Sequence, residues 1–212
     1  MTTINEQRDD RALVLRALRP PLAVERRLDA FVGLLERWNG STNLVAPSTL
    51  PNVWSRHILD SAQLLDVEPQ ARRWLDIGAG AGFPGMTLAI LLSETPGAEV
   101  HCVDSDRRKC AFLSRVAAET GAPARIHPSR VETLSPAQIP DVDVVTARGF
   151  GSLSLLMKVA RPWLETGARA LFPRGAGWAE EIAATPDLAG WDVETRPSRT
   201  HAQARLVAVR RR

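Results

Sequence analysis

The sequence predicts an α/β fold, a doubly wound and mostly parallel sheet of seven strands preceded by an N-terminal helical segment. Three observations carry this. Beyond about residue 70, short apolar stretches alternate with helical ones. A glycine-rich run, Asp76-Ile-Gly78-Ala-Gly80-Ala-Gly82-Phe-Pro84-Gly85, directly follows the first of those stretches. Before residue 70 the apolar residues recur only at helical spacing. The expected division is therefore 1–70 for a helical segment packed on the core and 71–212 for the sheet domain.

Each element follows from local pattern. Val24, Leu28, Phe31, Val32 and Leu35 line one helical face, and Gly40 is the expected breaker after Trp38-Asn39. Ser41 to Asn52 is turn-rich, with Pro47 and Pro51, and Val53 to Leu65 reads as another helix. Strands are expected at 74–77, 100–103, 124–127, 142–146 and 168–172. Helices are expected at 85–92, 107–120, 153–164 and 178–184. The last two strands, 193–195 and 206–209, suit an antiparallel finish. Right-handed crossovers are expected between the parallel strands.

Composition narrows the classes. Hydrophobic residues make up 44% of 212, enough for a core and too many for a disordered chain. No apolar run approaches the roughly 20 residues that cross a membrane, and the polar MTTINEQRDDR start is no secretory signal. Cys102 and Cys110 match no zinc spacing and suit a reducing, cytoplasmic setting. The four histidines, at 57, 101, 127 and 201, share no ligand spacing, so no metal is expected. The net charge of +3 is compatible with an RNA partner, and the basic residues are 25 Arg against two Lys.

The glycine run carries the chemistry. Glycines allow positive φ and let a ligand approach the backbone, and ligands of such sheets bind beyond the strands' carboxyl ends. Gly80, Gly82 and Gly85 also satisfy the G-x-G-x-x-G spacing of dinucleotide folds. Pro84 inside the run and Asp76 at the strand end argue against that ligand, because a carboxylate repels a pyrophosphate and suits a cation. D-x-G-x-G-x-G resembles motif I of the Rossmann-like class I methyltransferases, whose S-adenosylmethionine presents an ammonium and a sulfonium. Asp104 ends the second strand, where an acidic residue takes ribose hydroxyls. Its competing role is to cap the helix at Arg107.

Further stretches narrow the resemblance. The run at 76–85 resembles the D-[IV]-G-[ST]-G-[AP]-G-[FL]-P-G signature of the ribosomal RNA small subunit methyltransferase G family, also called glucose-inhibited division protein B. Trp38-Asn39 with Thr42-Asn43-Leu44, Arg56-His-Ile-Leu-Asp60-Ser61, Arg108-Lys109-Cys-Ala-Phe112-Leu113, Ser129-Arg130-Val131-Glu132 and the segment 146–153 resemble further family motifs in order. The resemblance implies transfer of a methyl group to N7 of a guanine in the 530 loop of 16S rRNA, at rRNA position 527. The implied partner is 16S rRNA, the small ribosomal subunit or its precursor. To the cofactor contacts expected at Asp76, Gly78, Gly80, Gly82 and Asp104 it adds Phe83, with Gly78 at the methionine end, Val131 and Glu132 by the adenine, and Arg148 closing the pocket beyond the fourth strand. It places Arg56, His57, Asp60 and Arg174 on the substrate side, with no certain catalytic residue. The chain departs from the family at Arg174, usually Lys, at Val45, usually Thr, and at Ala147, Gly149 and Gly151.

RNA contacts are expected among Arg56, Arg148, Arg174, Arg196, Arg199 and Arg210 to Arg212. Phe83, Phe150 and Trp54 are candidates to stack on a base, with core packing the competing role. His101 and His127 read as structural. The alternatives are a methyltransferase for another RNA, a protein or a small molecule, a non-catalytic RNA-binding module, and an NAD(P) oxidoreductase.

Overall fold

The computed structural model describes residues 2–212, with side chains from Glu6 onward. Met1, the first residue of the expected helical segment, lies outside the described residues. Two helices open the chain, α1 (Thr2–Leu18) and α2 (Leu22–Thr42). The predicted face of α2 is buried: Val24, Leu28, Phe31, Val32 and Leu35 all lie in the core. Gly40 does not end this helix. Asn43 does, in the left-handed conformation, with its N–H donating to the Asn39 carbonyl at 3.1 Å. The Asn39 side chain then accepts from Val45 N–H, so the chain leaves the helix with its backbone paired.

The turn-rich stretch holds a 3₁₀ helix, Pro47–Asn52. The helix expected at 53–65 is irregular: a π-helical turn, Trp54–Leu59, runs into short turns Asp60–Ala62 and Leu64–Val67. Apolar spacing cannot distinguish a π turn from an α turn over so few residues, and π turns concentrate at functional sites.

The sheet follows, with β1 (Arg73–Ile77), α3 (Gly85–Leu91), β2 (Glu99–Asp104), α4 (Arg107–Thr120), β3 (Ala124–Pro128), β4 (Val144–Thr146), α5 (Leu153–Glu165), β5 (Arg169–Arg174), α6 (Trp178–Ala183), β6 (Trp191–Pro197) and β7 (Arg205–Arg211). Strand order is β3-β2-β1-β4-β5-β7-β6. β1 to β5 pair in parallel, and β7 is antiparallel to both its neighbours. The predicted α/β, seven-stranded, mostly parallel architecture is the one observed. The observed bounds differ from the expected ones at every strand, and most at the last two: β4 begins at Val144, and β6 and β7 extend to seven residues each as a hairpin pair.

The direction of winding reverses between β1 and β4, and the crevice there lies beyond their carboxyl ends. Each face of the sheet has its own core. Leu28, Phe31, Leu88, Ile90, Phe112 and Val116 share one, and Leu75, Ile77, Val145, Leu156, Trp163 and Val207 the other. The N-terminal helices therefore belong to the first core. Among the described residues no helix is long and apolar enough to cross a membrane.

Candidate functional site

The loop after β1 is shaped by backbone pairing. Gly78 N–H and Ala79 N–H both donate to the Val103 carbonyl, at 2.9 and 3.0 Å, which holds the loop onto the end of β2. Gly78, Gly80 and Gly82 all have positive φ. A Cβ at Gly78 would lie 2.4 Å from the Phe150 ring, and one at Gly82 would meet Met86, Leu113 and Phe31.

Asp76 and Asp104 divide two tasks. Asp76 is fully buried under the loop and accepts Gly85 N–H at 2.8 Å. Burial pushes its carboxyl up to about 7, against the opposing effect of that hydrogen bond. Among the described residues its Oδ1 has no partner. Asp104 accepts Gly80 N–H through Oδ2 and Asp106 N–H through Oδ1, both at 2.8 Å. Asp106, not Asp104, caps α4, accepting from Arg108 and Lys109. Asp104 is thus freed from the capping role and faces the crevice.

A cavity of about 450 Å³ opens beside this loop. Of the residues predicted for a cofactor, Gly78, Gly80, Phe83, Asp104, Val131, Glu132 and Arg148 line it. Asp76 and Gly82 do not: one lies beneath the loop and the other packs into the core. Leu44, Val45, Lys109 and Phe150 also form its wall. Val45 supplies an apolar surface there.

A second cavity, of about 850 Å³, contains all four predicted substrate-side residues, Arg56, His57, Asp60 and Arg174. Among the described residues Arg148 is the one that lines both cavities. Its Nη1 donates to Asp60 Oδ2 at 3.1 Å and to the Arg56 carbonyl at 3.3 Å, and its Nη2 to His57 Nδ1 at 2.8 Å. The guanidinium lies 5.3 Å from the Phe83 ring centre, and His57 stacks on the same ring at 4.8 Å.

Arg148 has no acceptor atoms, so His57 Nδ1 must accept and the ring is neutral with its proton on Nε2. That proton faces Thr49 Oγ1 at 3.0 Å. Burial first, then the charges of Arg148 and Arg56, push the imidazole down to about 3. His57 cannot act as an acid near neutrality. Asp60 is equally committed, since Gln63 and Thr200 donate to Oδ1 while Arg148 holds Oδ2. Sequence offered no signal for Thr49, Gln63 or Thr200, and Thr200 lies 140 residues from Asp60.

Arg174 pairs with the Glu181 carboxylate and donates to the Gly151 carbonyl at 3.0 Å. Glu181 also accepts Leu153 N–H, so the pair ties the 149–153 loop to α6. A lysine could not span these acceptors with one planar fork. Of the other arginines expected at RNA, Arg196 pairs with Glu194, Arg199 with Asp66, Arg210 with Asp192 and Glu194, and Arg212 with Asp192. Arg211 donates to the Glu165 carbonyl. Trp54 lies in the core, outside both cavities, beneath Arg11. His101 and His127 contact each other at 2.9 Å, away from both cavities. No group of three or more His, Cys, Asp or Glu arranged to hold a metal occurs among the described residues.

Comparison with known proteins places this geometry among relatives. The family model described as rRNA small subunit methyltransferase G, GidB, matches residues 24–205. A ribosomal RNA small subunit methyltransferase G of Chelativorans sp. (strain BNC1) is 45% identical over 186 residues, covering 87% of this chain and 88% of its own. One from Bradyrhizobium sp. (strain ORS 278) is 42% identical over 207 residues, covering 97% and 92%. Among solved structures, a precorrin-6y C5,15-methyltransferase from Geobacter metallireducens GS-15 aligns with a TM-score of 0.55 at 14% identity, over 81% of this chain and 92% of that one. A fibrillarin/Nop5p complex aligns at 0.54 and 11% identity, over 73% and 83%. At such identities the likeness is one of fold.

Proposed function

The chain belongs to the rRNA small subunit methyltransferase G family, and from that membership we propose that it transfers a methyl group from S-adenosylmethionine to N7 of a guanine in 16S rRNA, position 527 of the 530 loop. The observation that carries the reading is the pair of cavities meeting at Arg148, one walled by the glycine loop and the other by arginines.

The first cavity fits the cofactor. Its volume lies within the roughly 300–1,000 Å³ of small-molecule sites. Gly78 and Gly80 offer backbone without side chains, and Asp104 retains lone pairs suited to ribose hydroxyls. We assign Val131 and Glu132 to the adenine side and Gly78 and Phe83 to the methionine end, with Arg148 closing the pocket beyond β4. Asp76, with its unpartnered Oδ1, supports the loop from below. When bound, S-adenosylmethionine supplies a sulfonium methyl that guanine N7, an unprotonated in-plane lone pair, can accept without a base.

The residues present match that demand. His57 and Asp60 are spent on Arg148, so they orient and do not transfer protons. Orientation is the main source of rate for such a transfer. Arg148 has two N–H groups left after its three contacts, available to acceptors in either cavity. N7 of a paired A-form guanine is out of side-chain reach, so the substrate is an unpaired or splayed guanine. We place the reaction in the cytoplasm, on the small ribosomal subunit or its precursor. Nucleoside analysis of 16S rRNA from cells lacking the gene tests this. N7-methylguanine at the 530 loop should disappear and return with the wild-type gene; a mark that persists defeats the assignment.

A further inference from the structure

We propose that the second cavity is a receptacle for one RNA nucleotide, with its guanine toward Arg148 at the wall shared with the first cavity and its backbone phosphate held by Arg56. The inference rests on the methyltransferase reading and specifies how that site takes its substrate.

The charge of the walls is the first argument. Arg56, Arg148, Arg174 and Arg205 line the cavity with one lining carboxylate, Asp60, and since Glu181 neutralises Arg174, three arginines are left against that carboxylate. That carboxylate is already shared among Arg148, Gln63 and Thr200. The cavity therefore carries unbalanced positive charge and calls for an anion. At about 850 Å³ it also has room for more than a phosphate.

The second argument is which arginine is free. Arg148 is held by Asp60 and His57, and Arg174 by Glu181 and the Gly151 carbonyl. Arg205 donates to the carbonyls of Ala202 and Ala204 and lies over the Trp178 ring, 5.4 Å from its centre. Arg56 is exposed, and among the described residues its guanidinium has no hydrogen-bond or ion-pair partner. Its neighbour across the π turn is a second cation, Arg148, and the charges of both bear on His57. A guanidinium without a partner, beside a second cation, is stabilised by an anion, and the fork of Arg56 matches a phosphate.

The placement of the base follows from reach. The reacting guanine must touch both cavities, and among the described residues Arg148 alone lines both. A nucleotide with its base at half-buried Arg148 and its phosphate at exposed Arg56 lies within this one cavity.

Calorimetry on the full chain, saturated with S-adenosylhomocysteine, tests the receptacle with guanosine and guanosine 5′-monophosphate as probes. The monophosphate should bind about tenfold more tightly. Arg56→Gln should bind guanosine as before and lose the preference, while Arg210→Gln, paired on β7, should keep it. Equal binding of the two probes, a preference that survives Arg56→Gln, or no binding of either at millimolar concentration overturns the proposal. A 16S rRNA fragment forms the second arm: Arg56→Gln should lower the salt slope of its binding by about one. A mononucleotide preference with an unchanged slope would assign the site to free nucleotides and overturn the RNA phosphate. Absence of N7 methylation by the wild-type chain would instead defeat the methyltransferase reading, since both arms here read binding alone.

Discussion

Two buried ionisable side chains respond to pH in opposite senses. His57 is held down to about 3, so the folded chain refuses a proton that the unfolded chain accepts. Its contribution therefore weakens stability as pH falls from about 6.5 toward 3. Asp76 is pushed up to about 7, so the folded chain keeps a proton that the unfolded chain has lost. Its contribution weakens stability as pH rises from about 4 toward 7. His57→Asn keeps a side-chain oxygen that can accept from Arg148 and removes the first response; the unfolding midpoint should lose less between pH 7.5 and 4.5 than in the wild type. Asp76→Asn should lose more over the same interval. Thermal melts at the two pH values check both, and equal slopes in the two variants would refute the assigned protonation states. Both residues stood out in the sequence by motif, but neither state was legible there. The pKa of each depends on burial and on Arg148, which is 91 residues from His57 along the chain.

The glycine loop is the element whose chemistry was most legible in advance, because positive φ at Gly78, Gly80 and Gly82 is a local property of the chain. Its glycines are nonetheless unequal. A Cβ at Gly80 has nothing closer than 3.7 Å, so Gly80→Ala costs only the left-handed strain, about 1–2 kcal/mol. A Cβ at Gly85 would lie 2.6 Å from Asp76 Oδ2 and 2.8 Å from Cys102 Sγ, both buried. Gly85→Ala should cost about 3 kcal/mol or more through overpacking and displacement of the Asp76 hydrogen bond. Denaturant unfolding of the two variants should show that order; the reverse would mean that the Asp76 pocket yields. The π turn at Trp54–Leu59 is the opposite case. Its apolar spacing looked helical, and only its packing sets the wider turn that lets His57 and Asp60 both reach Arg148.

For the whole molecule, the boundary near residue 70 remains a proposal about organisation, and the packing bears on whether the two parts fold apart. Phe31 of α2 contacts both Phe83 and Phe112, with ring centres 5.1 and 6.2 Å apart. Val24, Leu28 and Leu35 share a core with Leu88 and Ile90 of α3. A fragment 71–212 would expose that face to water. It should show no cooperative melt by circular dichroism, whereas the full chain should unfold in one transition; a stable, cooperative fragment would contradict this. Alternation of strand and helix and the periodicity of α2 were enough to predict the α/β sheet and its helical preface, because both arise from which residues must face a core. The glycine run likewise announced a ligand loop through backbone freedom alone. What the tertiary structure decided is which charges are spent and which are free. Arg174 is tied to Glu181 and the tail arginines to Asp192, Glu194 and the Glu165 carbonyl, while the Arg56 guanidinium has no partner among the described residues. Side chains of one sign look alike along a chain; their partners come from contacts closed across tens of residues, and no local pattern records them.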